Sequence, residues 1–187
     1  LATDDALPTS TVLTLDGGDG AGGGRWCELD LNGNDQTLAG LTNVTGRNLR
    51  LQQVVNRNGT AATLTINNTA PFTYDARIGA PTQTGLAQDG TNLALTKGGG
   101  GILTLSGSLD YAGDTTVNQG DLSLGTINGN NDLSTVTIAA SGATLDLTYT
   151  GTDTVDKLFI GTTQLAAGEY GPTAISIPQI TNSTGTG

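Results

Sequence analysis

The feature that most restricts this chain is an apolar–any–apolar triplet that returns along its whole length. It occurs at Leu13-Thr14-Leu15, with Val12 just ahead, and at Leu29-Asp30-Leu31, Leu49-Arg50-Leu51 and Leu64-Thr65-Ile66. It continues at Leu93-Ala94-Leu95, Leu103-Thr104-Leu105, Leu122-Ser123-Leu124, Val136-Thr137-Ile138, Leu145-Asp146-Leu147 and Ile175-Ser176-Ile177. A period of two turns one set of side chains inward and the next toward water, as in short half-buried strands. Between the triplets lie Gly, Asn, Asp and Thr, which turn a chain. No stretch carries a helical period with caps.

Short strands at such spacing suit a sandwich or a solenoid, and what fills the interior decides between them. Only 35% of residues are hydrophobic and 4% aromatic, namely Trp26, Phe72, Tyr74, Tyr111, Tyr149, Phe159 and Tyr170. The inward set is dominated by Leu, Ile and Val, side chains of similar size that stack well in parallel coils around a thin core. The expectation is an all-β chain, a single-stranded parallel β-helix or β-solenoid. At about 20 residues per coil it has roughly nine short coils, and at about 4.8 Å per strand a length of about 40 Å. Residues 1–10, interrupted by Pro8, read as an extended N-terminal arm, and 11–187 as the β-helix domain.

The same composition excludes several functions. The chain has no histidine and one cysteine, Cys27, so imidazole-based triads and His/Cys zinc sites lack their residues. Cys27 has no partner for an internal disulfide, which leaves a small buried side chain or an intermolecular link. With 17 acidic against 7 basic residues the net charge is -10. The scattered cations Arg25, Arg47, Arg50, Arg57, Arg77, Lys97 and Lys157 argue against nucleic acid as a partner. No apolar run approaches the roughly 18 residues of a membrane span. The start Leu1-Ala2-Thr3-Asp4-Asp5, without methionine, reads as that of a mature exported protein whose signal peptide has been removed.

At residues 93–124 the pattern becomes specific. Leu95-Thr96-Lys97 precedes a glycine-rich turn, followed by Leu103-Thr104-Leu105-Ser106-Gly107, Tyr111-Ala112-Gly113, Thr115-Thr116-Val117-Asn118 and Gly120-Asp121-Leu122-Ser123-Leu124. This segment resembles the autotransporter-associated β-strand repeat of bacterial surface passengers. Softer likenesses flank it, in Leu29 to Thr37 and in Val155 to Tyr170. The resemblance implies a right-handed parallel β-helix outside the cell that serves as stalk, adhesin or matrix. The chain departs from the family pattern in having one clear copy of the repeat and no C-terminal membrane barrel.

Other candidate sites have plainer readings beside them. Gly18-Asp19-Gly20-Ala21-Gly22-Gly23 formally matches G-x-G-x-x-G, but Arg25 to Leu31 continues it as strand where a dinucleotide site needs a helix N-terminus. The Asp30-Leu31-Asn32-Gly33-Asn34-Asp35 loop alternates oxygen ligands yet lacks the bidentate Glu of a calcium loop. The expectation is no cofactor, with structural calcium the one ion its hard oxygen ligands would admit. Asp110, Asp114, Asp132, Asp146, Asp153 and Asp156 are the acids a polysaccharide-cleaving site would have to align. No recognisable catalytic constellation includes them, and solubility accounts for them. Four Asn-x-Ser/Thr sequons, at Asn43, Asn58, Asn67 and Asn182, are expected by chance in a chain this rich in Asn and Thr.

A stack of coils ends in unpaired edges that join another chain unless capped. Neither end shows a capping amphipathic helix. The residues expected to carry self-assembly are Leu1, Leu7, Val12, Leu13 and Leu15 at one end and Ile175, Ile177 and Ile180 at the other. The first reading is a non-enzymatic extracellular structural subunit, a homo-oligomer that polymerises head to tail into a filament or matrix. The second is an adhesin or passenger stalk with glycan or cell-surface contacts, and the third a carbohydrate-active β-helix enzyme.

Overall fold

A computed structural model describes residues 1–18, 26–47, 52–79, 92–126, 133–171 and 175–182. Alternating Leu, Ile and Val residues build strands, and Gly, Asn and Asp turn the chain between them. In chain order the strands are β1 (Val12–Leu15), β2 (Cys27–Asp30), β3 (Gln36–Leu38), β4 (Gly40–Asn43), β5 (Gln52–Val55) and β6 (Ala62–Asn67). Next come β7 (Phe72–Tyr74), β8 (Arg77–Ile78), β9 (Leu93–Gly98), β10 (Ile102–Leu105), β11 (Thr115–Val117) and β12 (Gly120–Leu124). The last are β13 (Thr135–Ile138), β14 (Ala143–Leu147), β15 (Lys157–Ile160), β16 (Thr163–Gln164) and β17 (Ile180–Thr181). No helix occurs among the described residues.

The strands stack in the order in which the chain makes them. One sheet runs β3-β6-β9-β11-β13-β15 in parallel. A second runs β7-β10-β12-β14-β17, also parallel, with β4 lying beside β7 and β1 paired to β4. A third, β2-β5-β8, is carried one step further by a parallel bridge from Ile78 to Leu109. The chain therefore leaves each sheet and returns to it in the same direction, an arrangement compatible with a β-solenoid.

Register makes the core a set of columns. In the longest sheet Leu38, Ile66, Lys97, Val117, Ile138 and Ile160 stand in one inward file. Facing them, Phe72, Leu103, Leu122, Leu145 and Ile180 form another. The buried members join a single cluster that extends from Leu15 to Ile180. On the outer face of the longest sheet Thr37, Thr65, Thr96, Thr116 and Thr137 stack in register.

A coil of about 20 residues holds in the middle of the stack, where Leu95, Thr115, Val136 and Leu158 follow one another at 20, 21 and 22 residues, but the returns are not even throughout. Thr126 sits above Gly107 after 19 residues, whereas Thr181 sits above Asp146 after 35. Among the described residues the longest sheet holds six parallel strands, with β16 folded back antiparallel on the last of them. Loops of unequal length consume the difference. Of the predicted triplets, Leu49-Arg50-Leu51 lies outside the described residues, and Ile175-Ser176-Ile177 is no strand: Ile175 makes only an isolated bridge to Tyr170. The triplets at 13, 64, 93, 103, 122, 136 and 145 lie in strands.

The first ten residues do not project from the body. The Leu1 ammonium donates to the Asp30 carbonyl at 2.5 Å, and Asp5 N–H to the Asp35 carbonyl at 2.8 Å. Leu7 N–H donates to Gln36 Oε1, and Gln36 Nε2 donates back to the Leu7 carbonyl, both at 3.0 Å. Asp5 Oδ1 accepts the Thr37 N–H at 2.6 Å. The arm thus lies along β3 and supplies partners that a further strand would otherwise supply.

Candidate functional site

Each element of the segment resembling the autotransporter-associated repeat has a stacking task. Lys97 is fully buried in an aliphatic column, between Ile66 on one neighbouring strand and Val117 on the other. Its Nζ donates to the carbonyls of Gly98 (2.6 Å), Gly99 (2.7 Å) and Gln119 (3.0 Å). An ammonium has three donors and no acceptor, so this set satisfies it. Burial pulls its pKa down to about 8, against the opposing pull of the Asp121 carboxylate. Tyr111, also fully buried, shares a 2.8 Å hydrogen bond with the Thr115 hydroxyl. Buried Asn68 donates to the carbonyls of Ala70 (2.7 Å) and Ile102 (2.9 Å) and so joins successive passes.

The glycines of this segment let backbone lie on backbone. A Cβ at Gly101 would stand 2.5 Å from the Ala70 carbonyl oxygen, and one at Gly107 would overlap the Ala76 carbonyl. Gly99 has φ +71 and leaves the same kind of space for Asn68. The repeat is therefore a packing motif whose lysine faces inward.

A second buried asparagine does for the first passes what Asn68 does later. Asn56 Oδ1 accepts the Gly33 N–H at 2.8 Å, while its Nδ2 donates to the carbonyls of Thr60 (2.8 Å) and Asn92 (3.1 Å). Its role was hidden in sequence because Asn is common in every turn.

The ends of the stack differ. At the first, β1 pairs with β4 and β2 with β5, each on one side only among the described residues. Val12 and Trp26 are exposed there. At the other, β16 folds back antiparallel on β15, and β17 covers only Leu145 and Asp146 of β14. Between them opens a cavity of about 590 Å³, walled by Leu124, Val136, Leu145, Leu147, Leu158 and Ile180. Burial, and secondarily Asp153, pushes the pKa of Tyr149 at its wall upward.

The residues expected to carry self-assembly divide by exposure. Val12 (48%) and Ile175 (52%) face solvent. Leu15 and Ile180 are buried in the core, while Leu1, Leu7, Leu13 and Ile177 are partly buried against it. Cys27 is a free thiol, half-buried.

The other candidates resolve locally. Most of the glycine run 18–23 lies outside the described residues, as do Asp132 and the hydroxyl-bearing residues of the last sequon. In the 30–35 loop, Asp30 Oδ1 accepts the N–H groups of Asn32 (2.9 Å) and Arg57 (3.1 Å), and Asp35 Oδ1 that of Thr63 (2.7 Å). Asp114 accepts the Thr135 N–H (2.8 Å), Asp146 the Thr181 hydroxyl (2.9 Å) and Asp153 the Thr154 N–H (3.0 Å), while Asp156 pairs with Lys157 (3.0 Å). These acids serve separate local bonds; Asp153 and Asp156 also line the cavity at the far end of the stack, whereas Asp114 and Asp146 do not.

Fold and contacts define an all-β protein of stacked parallel strands held together by buried polar side chains and bare glycine turns. Within it, residues 95–124 match the family model of the passenger-associated-transport-repeat, so the chain carries this autotransporter-associated repeat. No curated protein and no solved structure matches the chain. The repeat implies an exported protein, and no helix among the described residues is long and apolar enough to cross a membrane.

Proposed function

We propose that this protein is a non-enzymatic structural subunit outside the cell, a parallel β-solenoid that associates end to end into a filament or matrix. The observation that carries the reading is directional stacking. Parallel sheets extend from β1 to β17, and the terminal strands β1 and β17 each have a ladder partner on one side only among the described residues. Two unlike ends that meet head to tail make a heterologous contact, and such contacts propagate into open filaments. Exposed Val12 at one end, and Ile175 with the cavity at the other, supply surface for that contact. The arm along β3 limits it to the β1 and β2 edges.

Electron microscopy of the purified protein at neutral pH tests this. Ordered fibres with a subunit repeat near the length of one stack are the expected result. Monomers alone at high concentration would overturn the filament and leave the adhesin. That second reading has its own support in the in-register threonine column from Thr37 to Thr137, an uncharged row on an acidic protein.

A further inference from the structure

The single cysteine lies beside a glutamine with no hydrogen-bond partner. Cys27 on β2 and Gln52 on β5 are directly paired in a parallel ladder. The pleat turns both toward the side of Leu29 and Val54, two core residues. Paired residues of neighbouring strands lie about 4.8 Å apart, within side-chain reach. Gln52 is 0% exposed, and neither its Nε2 nor its Oε1 has a hydrogen-bond partner among the described residues. Buried polar groups are nearly always satisfied, and an exception calls for a specific cause. Cys27 is free and half-buried, next to exposed Trp26, and the Asp16 N–H points at its sulfur at 3.4 Å.

We propose that Cys27 and Gln52 close into an internal thioester, with which the protein attaches itself covalently to a primary amine on another surface. In the closing step Cys27 Sγ attacks Gln52 Cδ. The Sγ–Cδ bond forms, the Cδ–Nε2 bond breaks, and the thiol proton leaves with the nitrogen as ammonia. No oxidant or reductant enters. In the attachment step the amine nitrogen bonds to Cδ and the Cδ–Sγ bond breaks. An amine proton passes to sulfur, restoring the thiol and leaving a substituted amide on Gln52.

The surroundings suit both steps. Register places the two side chains next to each other on one face of the ladder, which raises the effective concentration of the thiol at the carboxamide. The Asp16 N–H faces the atom on which negative charge develops as the thioester opens. Full burial of Gln52 keeps bulk water from the acyl carbon, so an amine has to reach that carbon from the side of half-exposed Cys27. Closing the thioester needs no second copy of the chain, since β2 and β5 belong to one chain.

Intact mass spectrometry of the full chain, folded at neutral pH in amine-free buffer, is the test. The expected mass is one ammonia below that of the sequence, with no thiol open to a maleimide. Methylamine then adds its own mass to the peptide that contains Gln52 and releases one reactive thiol. Gln52→Leu, which keeps an apolar side chain of similar size in the core, has the full mass and a free thiol from the start. A wild-type chain at full mass with a reactive Cys27 overturns the proposal. Ammonia loss that persists in Cys27→Ala also overturns it, because ring closure at Asn32-Gly33, Asn58-Gly59 or Asn128-Gly129 would then be the source.

Discussion

The Lys97 ammonium donates to the Gln119 carbonyl 3.0 Å away, across two strand-to-turn junctions of the same sheet. It holds Gly98 and Gly99 at the same time. A cation thereby occupies a position whose column neighbours, Ile66 and Val117, are aliphatic. Lys97→Met keeps the volume but leaves three buried carbonyls without this donor. The expected loss is about 3 kcal/mol, because hydrogen bonds to charged groups contribute about 1.5–3 kcal/mol and orphaned acceptors cost more. Urea unfolding of wild type and variant measures it.

The same lysine sets an alkaline stability profile. Its folded pKa is about 8 against 10.5 for the free side chain, so between these values the unfolded chain binds more protons and stability rises with pH. Above 10.0 the sign reverses. Burial, with lesser contributions from Cys27 and then Asp75 at Tyr74 and from Asp153 at Tyr149, keeps both tyrosines protonated in the fold while the unfolded chain releases their protons. Denaturation midpoints should peak near pH 10, and Lys97→Met should remove the rising limb.

Within the glycine run, identical substitutions should have opposite outcomes. A Cβ at Gly100 meets nothing closer than Gln119 Nε2 at 3.8 Å, whereas one at Gly101 lies 2.5 Å from the Ala70 carbonyl oxygen. Gly100→Ala is expected to stay within about 0.5 kcal/mol of wild type. Gly101→Ala must push backbone from backbone and should cost about 3 kcal/mol or prevent folding. Thermal melts of the two separate the cases.

On the third sheet Arg57 pairs with Glu28 at 2.6 Å, and Gln53 Nε2 also donates to that carboxylate. Burial alone would raise the pKa of Glu28. The hydrogen bonds from Arg57 and Gln53, with the Arg57 charge, outweigh it and hold the carboxyl below 4.5. Its contribution is therefore present above pH 4.5 and lost as pH falls through the lower folded value. Arg57→Ala should cost about 1 kcal/mol near neutrality, since the pair is partly exposed, and should flatten this acid limb. Unfolding midpoints measured across the acid range check both.

Strands with an apolar–any–apolar triplet were legible because alternation is a local property. β5, whose four residues Gln52, Gln53, Val54 and Val55 are all buried, has no alternation to read. β3, β4 and β11 are marked by one apolar residue each, so their neighbours in the stack define them. The repeat was legible because stacking restricts its Lys, Tyr and Gly positions tightly. Where the arm lies was not legible, because the partners of Leu1, Asp5 and Leu7 are some thirty residues ahead, at Asp30 to Thr37.

By itself the sequence determined that the chain forms short strands with an inward aliphatic face, that its chemistry lacks imidazole, and that residues 93–124 carry an exported-protein repeat. Tertiary structure alone decided which strand lies beside which, and hence that Cys27 faces Gln52, that Lys97 reaches Gln119 and that the arm closes the β3 edge. The physical reason is that strand character follows from neighbours two residues apart, whereas stacking partners are fixed by the length of each return. Here the returns vary from 19 to 35 residues, and no local pattern encodes that length.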